Sequence, residues 1–136
     1  MSTCIFCDMV GGKLSCHMIY KDDDCIVILD KYPIDIGHSL IITKKPYEKL
    51  TDMDVNEVAQ LFSKIPKIAN AIIKATNADA FSIAQNNGKA AKQIIPHVHI
   101  HIIPRYNATG TLWTKRKILK DNELDELAQK IKNYLE

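Results

Sequence analysis

The chain lacks any apolar run of transmembrane length. The longest, Cys25 to Leu29, falls far short of the roughly 20 residues that span a bilayer. No membrane partner is therefore expected. The opening Met1-Ser2-Thr3-Cys4 has no basic segment followed by an apolar stretch, so no secretory signal is expected either. There is no internal repeat, no low-complexity tract and no Pro/Gly/Ser linker, so residues 1–136 read as one domain. An excess of one charge is also lacking. Eighteen Lys and Arg stand against sixteen Asp and Glu, a formal charge of +2, which argues against nucleic acid as the main partner. The four cysteines are not spread: Cys4, Cys7, Cys16 and Cys25 all lie in the first quarter. A secreted disulfide scaffold spreads its cysteines, so a reduced protein of the cytoplasm or nucleus is expected.

What is present suits a globular core. Hydrophobic residues make up 46% and charged ones 25%, and a domain of this length hides roughly two thirds of its unfolded surface. His17-Met18-Ile19-Tyr20, the turn Asp22-Asp23-Asp24 and the β-branched run Cys25-Ile26-Val27-Ile28-Leu29 predict a hairpin. Ser39-Leu40-Ile41-Ile42-Thr43, reached through Gly37-His38, predicts a third strand. Thr51-Asp52 can cap a long helix whose apolar face carries Val55, Val58, Leu61, Phe62, Ile65, Ile68, Ala69, Ile72 and Ile73, with Pro66 inside the pattern. Ala80 to Ala84 and His97 to Ile103 predict two more strands, separated by the turn signal Asn86-Asn87-Gly88. A last amphipathic helix, over about 120–136, aligns Leu124, Leu127, Ile131 and Leu135. About five hairpin-linked strands with one long helix between them indicate an α+β domain with an antiparallel sheet.

The five histidines are unevenly placed, and three of them fall in His97-Val98-His99-Ile100-His101-Ile102-Ile103. Alternate residues of a strand share a face and repeat about every 6.6 Å. His97, His99 and His101 therefore line one face, and Val98, Ile100 and Ile102 line the other. Three readings follow from the residues alone. The stripe can be a polar face without chemistry. It can hold a metal, given a further ligand. It can also attack phosphorus, with one imidazole as nucleophile and another binding the phosphate oxygens.

The segment resembles the signature of the histidine triad (HIT) family, His-φ-His-φ-His-φ-φ with φ apolar. Cys4-Ile5-Phe6-Cys7 resembles the opening of many members, and Ile28-Leu29-Asp30 with Gly37-His38-Ser39-Leu40-Ile41-Ile42 resembles the family's first nucleotide-binding strands. Asn86-Asn87-Gly88 and Gln93 stand at the expected distances before the triad, and Pro104-Arg105 follows it. The similarity runs in order over residues 4 to about 113, on the Hint-like and bacterial-type branch, with a less diagnostic C-terminal helical extension.

The resemblance implies a HIT fold and hydrolysis at the α-phosphate of purine nucleotide conjugates through a nucleotidyl-histidine intermediate. His99 would be the nucleophile, His101 would bind the phosphate oxygens, and His97 would support the site. Asp30 would accept the ribose hydroxyls, although by itself it reads as a turn residue closing a strand. Ile5, Phe6 and Ile28 would wall the purine pocket, and Asn86 and Gln93 would lie near the phosphate and leaving group. An adenosine 5′-monophosphoramidate is the first substrate implied. The alternatives are a dinucleoside polyphosphate and, from another class, a nucleotide-binding regulatory or scaffold role with little turnover. Relatives are dimers, so a homodimer is expected, with Trp113 a candidate to reach the neighbouring subunit.

Three positions depart from the family's pattern. Ile94 stands where many relatives carry Ser or Thr, and it cannot donate a hydrogen bond to a leaving group. Lys92 stands where glycine is common. In zinc-containing relatives the ligands are two cysteines, a histidine and the first triad histidine; here these positions read Cys4, Cys7, Pro46 and His97. No cofactor is required for the chemistry, and structural zinc would have three protein ligands here, with Cys16, His17 or water as candidates for the fourth. The short basic cluster Lys115-Arg116-Lys117 reads as a solvated face before the last helix.

Overall fold

The structure of the protein is a computed structural model, and it describes residues 4–109, 113 and 116–135. Lys115, one member of the basic cluster, lies outside them. Helix α1 (Ile5–Val10) precedes the hairpin of β1 (Met18–Lys21) and β2 (Cys25–Leu29), and β3 (Ser39–Thr43) follows. Helices α2 (Val55–Ser63) and α3 (Ile65–Thr76) lead to β4 (Ala80–Ala84), then β5 (His99–Arg105) and α4 (Asp121–Leu135). The five strands form one sheet in the order β1-β2-β3-β5-β4, with every neighbouring pair antiparallel. The expected α+β architecture is the observed one.

β2 and β3 are buried along their whole length, which is why their sequences are rich in β-branched and other apolar residues rather than alternating with charged ones. The odd-numbered side chains Val27 and Ile41, with Val98, Ile100 and Ile102 from the even positions around β5, face the helices. There they meet Leu61, Ile65, Ile68 and Ile72 of α2 and α3 and Leu124, Ala128 and Ile131 of α4. Each fully buried aliphatic side chain contributes roughly 1.5–3 kcal/mol relative to exposure. The opposite face carries a smaller cluster of Phe6, Ile26, Ile28, Leu40 and Ile42. Helix α4 packs on α3 and β1, and His17 anchors it through Nδ1 to Asp125 at 2.8 Å and Nε2 to Asp121 at 3.4 Å.

Two local expectations need correction. The long helix is two helices, broken at Lys64, which ends α2 and starts α3. Pro66 sits in the first turn of α3, where its missing N–H costs nothing, whereas inside one continuous helix it would remove a hydrogen bond and clash with the preceding turn. The N-cap of α2 is Asp54, whose backbone N–H donates to Glu57 Oε1 at 3.3 Å; Thr51 and Asp52 belong to a separate 3-10 turn. Gly37 has a φ of +94°, and a Cβ there would come within 2.9 Å of Thr76 and 3.0 Å of Pro104. Only glycine meets both demands, and the turn it makes delivers the chain to His38.

Candidate active site

Strand parity assembles the site. In β2 the even positions Ile26 and Ile28 face the smaller cluster, and Asp30 continues that series just past the strand end. In β3 the same face carries Leu40 and Ile42, with His38 just before the strand. The register pairs Ile28 with Leu40 and Leu40 with His101, and pairs Ile26 with Ile42 and Ile42 with His99. One row further on, Asp30 donates its backbone N–H to the carbonyl of His38 at 2.8 Å. The triad histidines, His38 and Asp30 thus share one face by register alone.

His97 precedes β5, one step of alternation earlier than its first residue, and still keeps the phase of the stripe. Hydrogen bonds from Val98 N–H to Tyr47 (2.8 Å) and from Thr43 N–H to Val98 (3.4 Å) hold the chain extended there. Phe6 stands edge-on to His97 and His99, with ring centroids 5.9 and 4.9 Å away, and His99 and His101 lie 5.0 Å apart. His97 is fully buried, His99 is 8% exposed and His101 is half-buried.

Each ring has partners that assign its proton. His99 Nδ1–H donates to the carbonyl of His97 at 2.7 Å, which leaves the lone pair on Nε2. His97 Nε2–H donates to the carbonyl of Thr43 at 2.7 Å, which leaves its Nδ1 lone pair facing Cys4 Sγ at 3.1 Å and Cys7 Sγ at 3.5 Å. His38 Nδ1 accepts from the backbone N–H of Ile34 at 3.0 Å, so its proton sits on Nε2 and is donated to His101 Nδ1 at 2.9 Å. His101 is thereby held with its own proton on Nε2, as a donor. The sequence did not assign His38 this orienting role. The legible signal was its parity with Leu40 and Ile42, read together with a register that pairing alone reveals.

Burial keeps these rings neutral. It lowers the basicity of His97 and His99, in each case as the largest cause, and the backbone acceptor of each partly offsets it. For His101, burial and then the neighbouring His99 bring the pKa down to about 4. His38, with no exposed surface, is held well below the usual histidine range by burial and then by His101. Asp30 moves the other way: burial raises its pKa, opposed by the Tyr32 N–H and by Arg116.

Among the described residues, two groups of side chains have ligand atoms near enough to share a metal. Cys4, Cys7 and His97 form the first, and the chemistry fits, because His97 presents a lone pair to two thiols. Among the described residues no further His, Cys, Asp or Glu joins them, and His17, a suggested fourth ligand, is committed to α4. Asp30, His38 and His101 form the second. There the fit fails: His38 Nε2 carries the proton, and freeing it to ligate would set a protonated Nδ1 against the N–H of Ile34.

The remaining expected residues are spread more widely. Ile28 is buried in the face beside Phe6, while Ile5 is on the exposed side of α1. Asn86 is half-buried at the start of the loop after β4. Gln93 is buried and its amide is used within the loop: Oε1 accepts from Gly88 N–H at 2.7 Å and Nε2 donates to the Glu48 carbonyl at 2.6 Å. These bonds tie the loop to the segment at Glu48, and each end of the amide keeps one further hydrogen-bonding site. Lys92 has a left-handed φ of 64°, the conformation glycine adopts most easily, and Ile94 is 86% exposed. Trp113 lies against the Arg105 guanidinium, 4.6 Å from its ring centroid.

The HIT domain model matches residues 12–108. The chain belongs to the HIT family. Among its HIT relatives, the Arabidopsis thaliana adenylylsulfatase HINT3 is 44% identical over 137 residues, covering 97% of this chain and 69% of that protein. The adenosine 5′-monophosphoramidase hnt1 of Schizosaccharomyces pombe is 29% identical, covering 98% of each chain. A crystal structure of a zinc-bound histidine triad protein from Mycobacterium smegmatis superposes with a TM-score of 0.86 at 34% identity, covering 98% of this chain and 93% of that one.

Neutral buried imidazoles link the HIT site to pH. An unfolded His101 takes up a proton near pH 6.5, whereas the folded one does so near 4, so the unfolded state binds more protons between those values. Stability is therefore expected to fall as pH drops from about 6.5 to about 4. Urea midpoints measured across this window should decline for the parent and decline less steeply for His101→Gln. Equal slopes in the two proteins would contradict the assignment.

Proposed function

We propose that the protein hydrolyses purine nucleotide conjugates at the α-phosphate through a nucleotidyl group carried on His99. The observation that carries this reading is the tautomer of His99: with its Nδ1–H on the His97 carbonyl, Nε2 presents a lone pair on the face shared with Asp30 and His101. As Nε2 attacks phosphorus the ring gains positive charge, and the carbonyl on Nδ1–H stabilises it. His101, held as an Nε2–H donor by His38, hydrogen-bonds the phosphoryl oxygens. The bond from phosphorus to the leaving group breaks, and that group departs with the bonding pair and takes up a proton from solvent. Water then attacks phosphorus and gives up a proton, the phosphorus–Nε2 bond breaks with its pair returning to His99, and the nucleoside monophosphate is released. Asp30 accepts the ribose hydroxyls, and Phe6 and Ile28 flank the base.

A nucleoside 5′-phosphoramidate is the first substrate, supported by the relative named as a monophosphoramidase. An adenylyl sulfate is the second, supported by the 44% identity to the relative named as an adenylylsulfatase. Phe81 and Ile83, 40% and 43% exposed on the edge strand β4, suit a second copy of the chain and support a homodimer. Among the described residues no helix is long and apolar enough to cross a membrane.

Cys4, Cys7 and His97 would hold zinc, which would tie α1 to the start of β5; none of the steps above passes through it. The zinc-bound relative supports this reading. With three protein ligands, zinc is expected to be lost to a chelator. Elemental analysis of protein purified without added metal should find zinc that Cys7→Ser removes, and protein free of zinc from the outset would refute the site.

The catalytic reading is tested by mixing the protein with adenosine phosphoramidate and quenching without acid. The parent should carry an adenylyl group on His99, and His99→Ala should lose turnover by at least about 10³-fold. A His99→Ala protein that turns over at the parent's rate would overturn the mechanism. A panel of phosphoramidates, adenylyl sulfate and dinucleoside polyphosphates ranks the leaving groups.

A further inference from the structure

The basic cluster expected to be a solvated face is instead engaged at Arg116 and Lys117. Arg116 Nη1 donates to Asp30 Oδ2 at 3.2 Å and to the Tyr32 carbonyl at 3.0 Å. Lys117 follows with its backbone N–H on the Pro33 carbonyl at 2.7 Å, and its ammonium lies 3.8 Å from Asp35 Oδ1. A segment 86 residues downstream of Asp30 is thus strapped across the loop that leaves β2.

We infer that Arg116 is a positioning residue for nucleotide recognition, holding the Asp30 carboxylate in the orientation that accepts a ribose diol and so setting the preference for ribonucleotides over 2′-deoxyribonucleotides. The inference rests on the proposed role of Asp30 in binding ribose.

A carboxylate offers about four acceptor sites, two on each oxygen. Tyr32 N–H occupies one on Oδ1 at 2.9 Å, and Arg116 occupies one on Oδ2. One site remains on each oxygen, the number a vicinal diol needs. The same two bonds fix the rotation of the carboxylate, because they grip its two oxygens from the turn and from the strap. The side chain of Asp30 is 17% exposed, and burial favours its neutral form, which would lose acceptor capacity. Arg116 supplies the opposing charge. The other charged or titratable groups facing Asp30 are His99 and His38, whose Nε2 lies 3.7 Å from Oδ2 but spends its proton on His101. Both rings stay neutral through burial, which leaves the guanidinium as the cation beside this carboxylate among the described residues.

Calorimetric titration of the full-length protein with AMP and with 2′-deoxy-AMP tests the role. The parent should bind AMP more tightly by about 10-fold or more, the scale of a hydrogen bond to a charged acceptor. Arg116→Ala should lose most of that preference by weakening AMP alone, and Arg116→Lys should restore part of it. With adenosine phosphoramidate, the loss should appear as a higher KM at nearly unchanged kcat, and the melting temperature should stay close to the parent's. An Arg116→Ala protein that keeps the parent's preference, or binds AMP more tightly, would overturn the inference and leave Asp30 in its role. A parent that binds both nucleotides equally would remove Asp30 from ribose recognition, and the inference with it.

Discussion

The hydrogen bond from His38 Nε2–H to His101 Nδ1, at 2.9 Å, sets the polarity of this site. Its direction is fixed from behind, by the backbone N–H of Ile34 on His38 Nδ1. From that one amide the protons of two imidazoles follow in order, and the last of them points a donor outward. His99 is oriented independently by a backbone carbonyl and ends with the opposite tautomer, its lone pair outward. Adjacent rings on one strand face thus offer an acceptor and a donor, which is what attack on phosphorus and stabilisation of its oxygens require. Burial enforces the pattern by making the charged form of each ring costly.

The fold supplies this arrangement with few demands on the sequence. An antiparallel sheet with one face packed on helices commits the opposite parity of three strands to the other face. Ile28–Leu40–His101 and Ile26–Ile42–His99 are simple rows of that face, and Asp30 and His38 extend it by one row past the strand ends. Asp30 and His38 sit where β2 and β3 stop, because there side chains keep the sheet's phase while the backbone turns away. Gly37 belongs to the same arrangement: its positive φ brings the chain around tightly enough for His38 to lie under Ile34.

Alternation in the amino-acid sequence is enough to reveal the triad face, and it also places Val98, Ile100 and Ile102 against the helices. The hairpin and the central strands are legible because β-branched runs between polar turns have few other uses. The break between α2 and α3 is not. Leu61, Ile65 and Ile68 continue one amphipathic phase across it, and only Pro66 marks the interruption. The resemblance places Gln93 near the phosphate, but no pattern in the sequence reveals the bonds of its amide to Gly88 and Glu48. Arg116 is beyond reach for a different reason. A charge next to other charges reads as a solvated face, and its partner Asp30 is 86 residues away with no pattern linking them.

Three imidazoles, those of His38, His99 and His101, are neutral and hold defined, unequal tautomers. Two-bond proton–nitrogen correlation of the histidine rings at pH 7 measures this directly. The expected spectrum has the proton of His99 on Nδ1 and those of His38 and His101 on Nε2, with all three rings neutral. A His99 ring protonated on Nε2, or a charged imidazolium at His38 or His101, would contradict it.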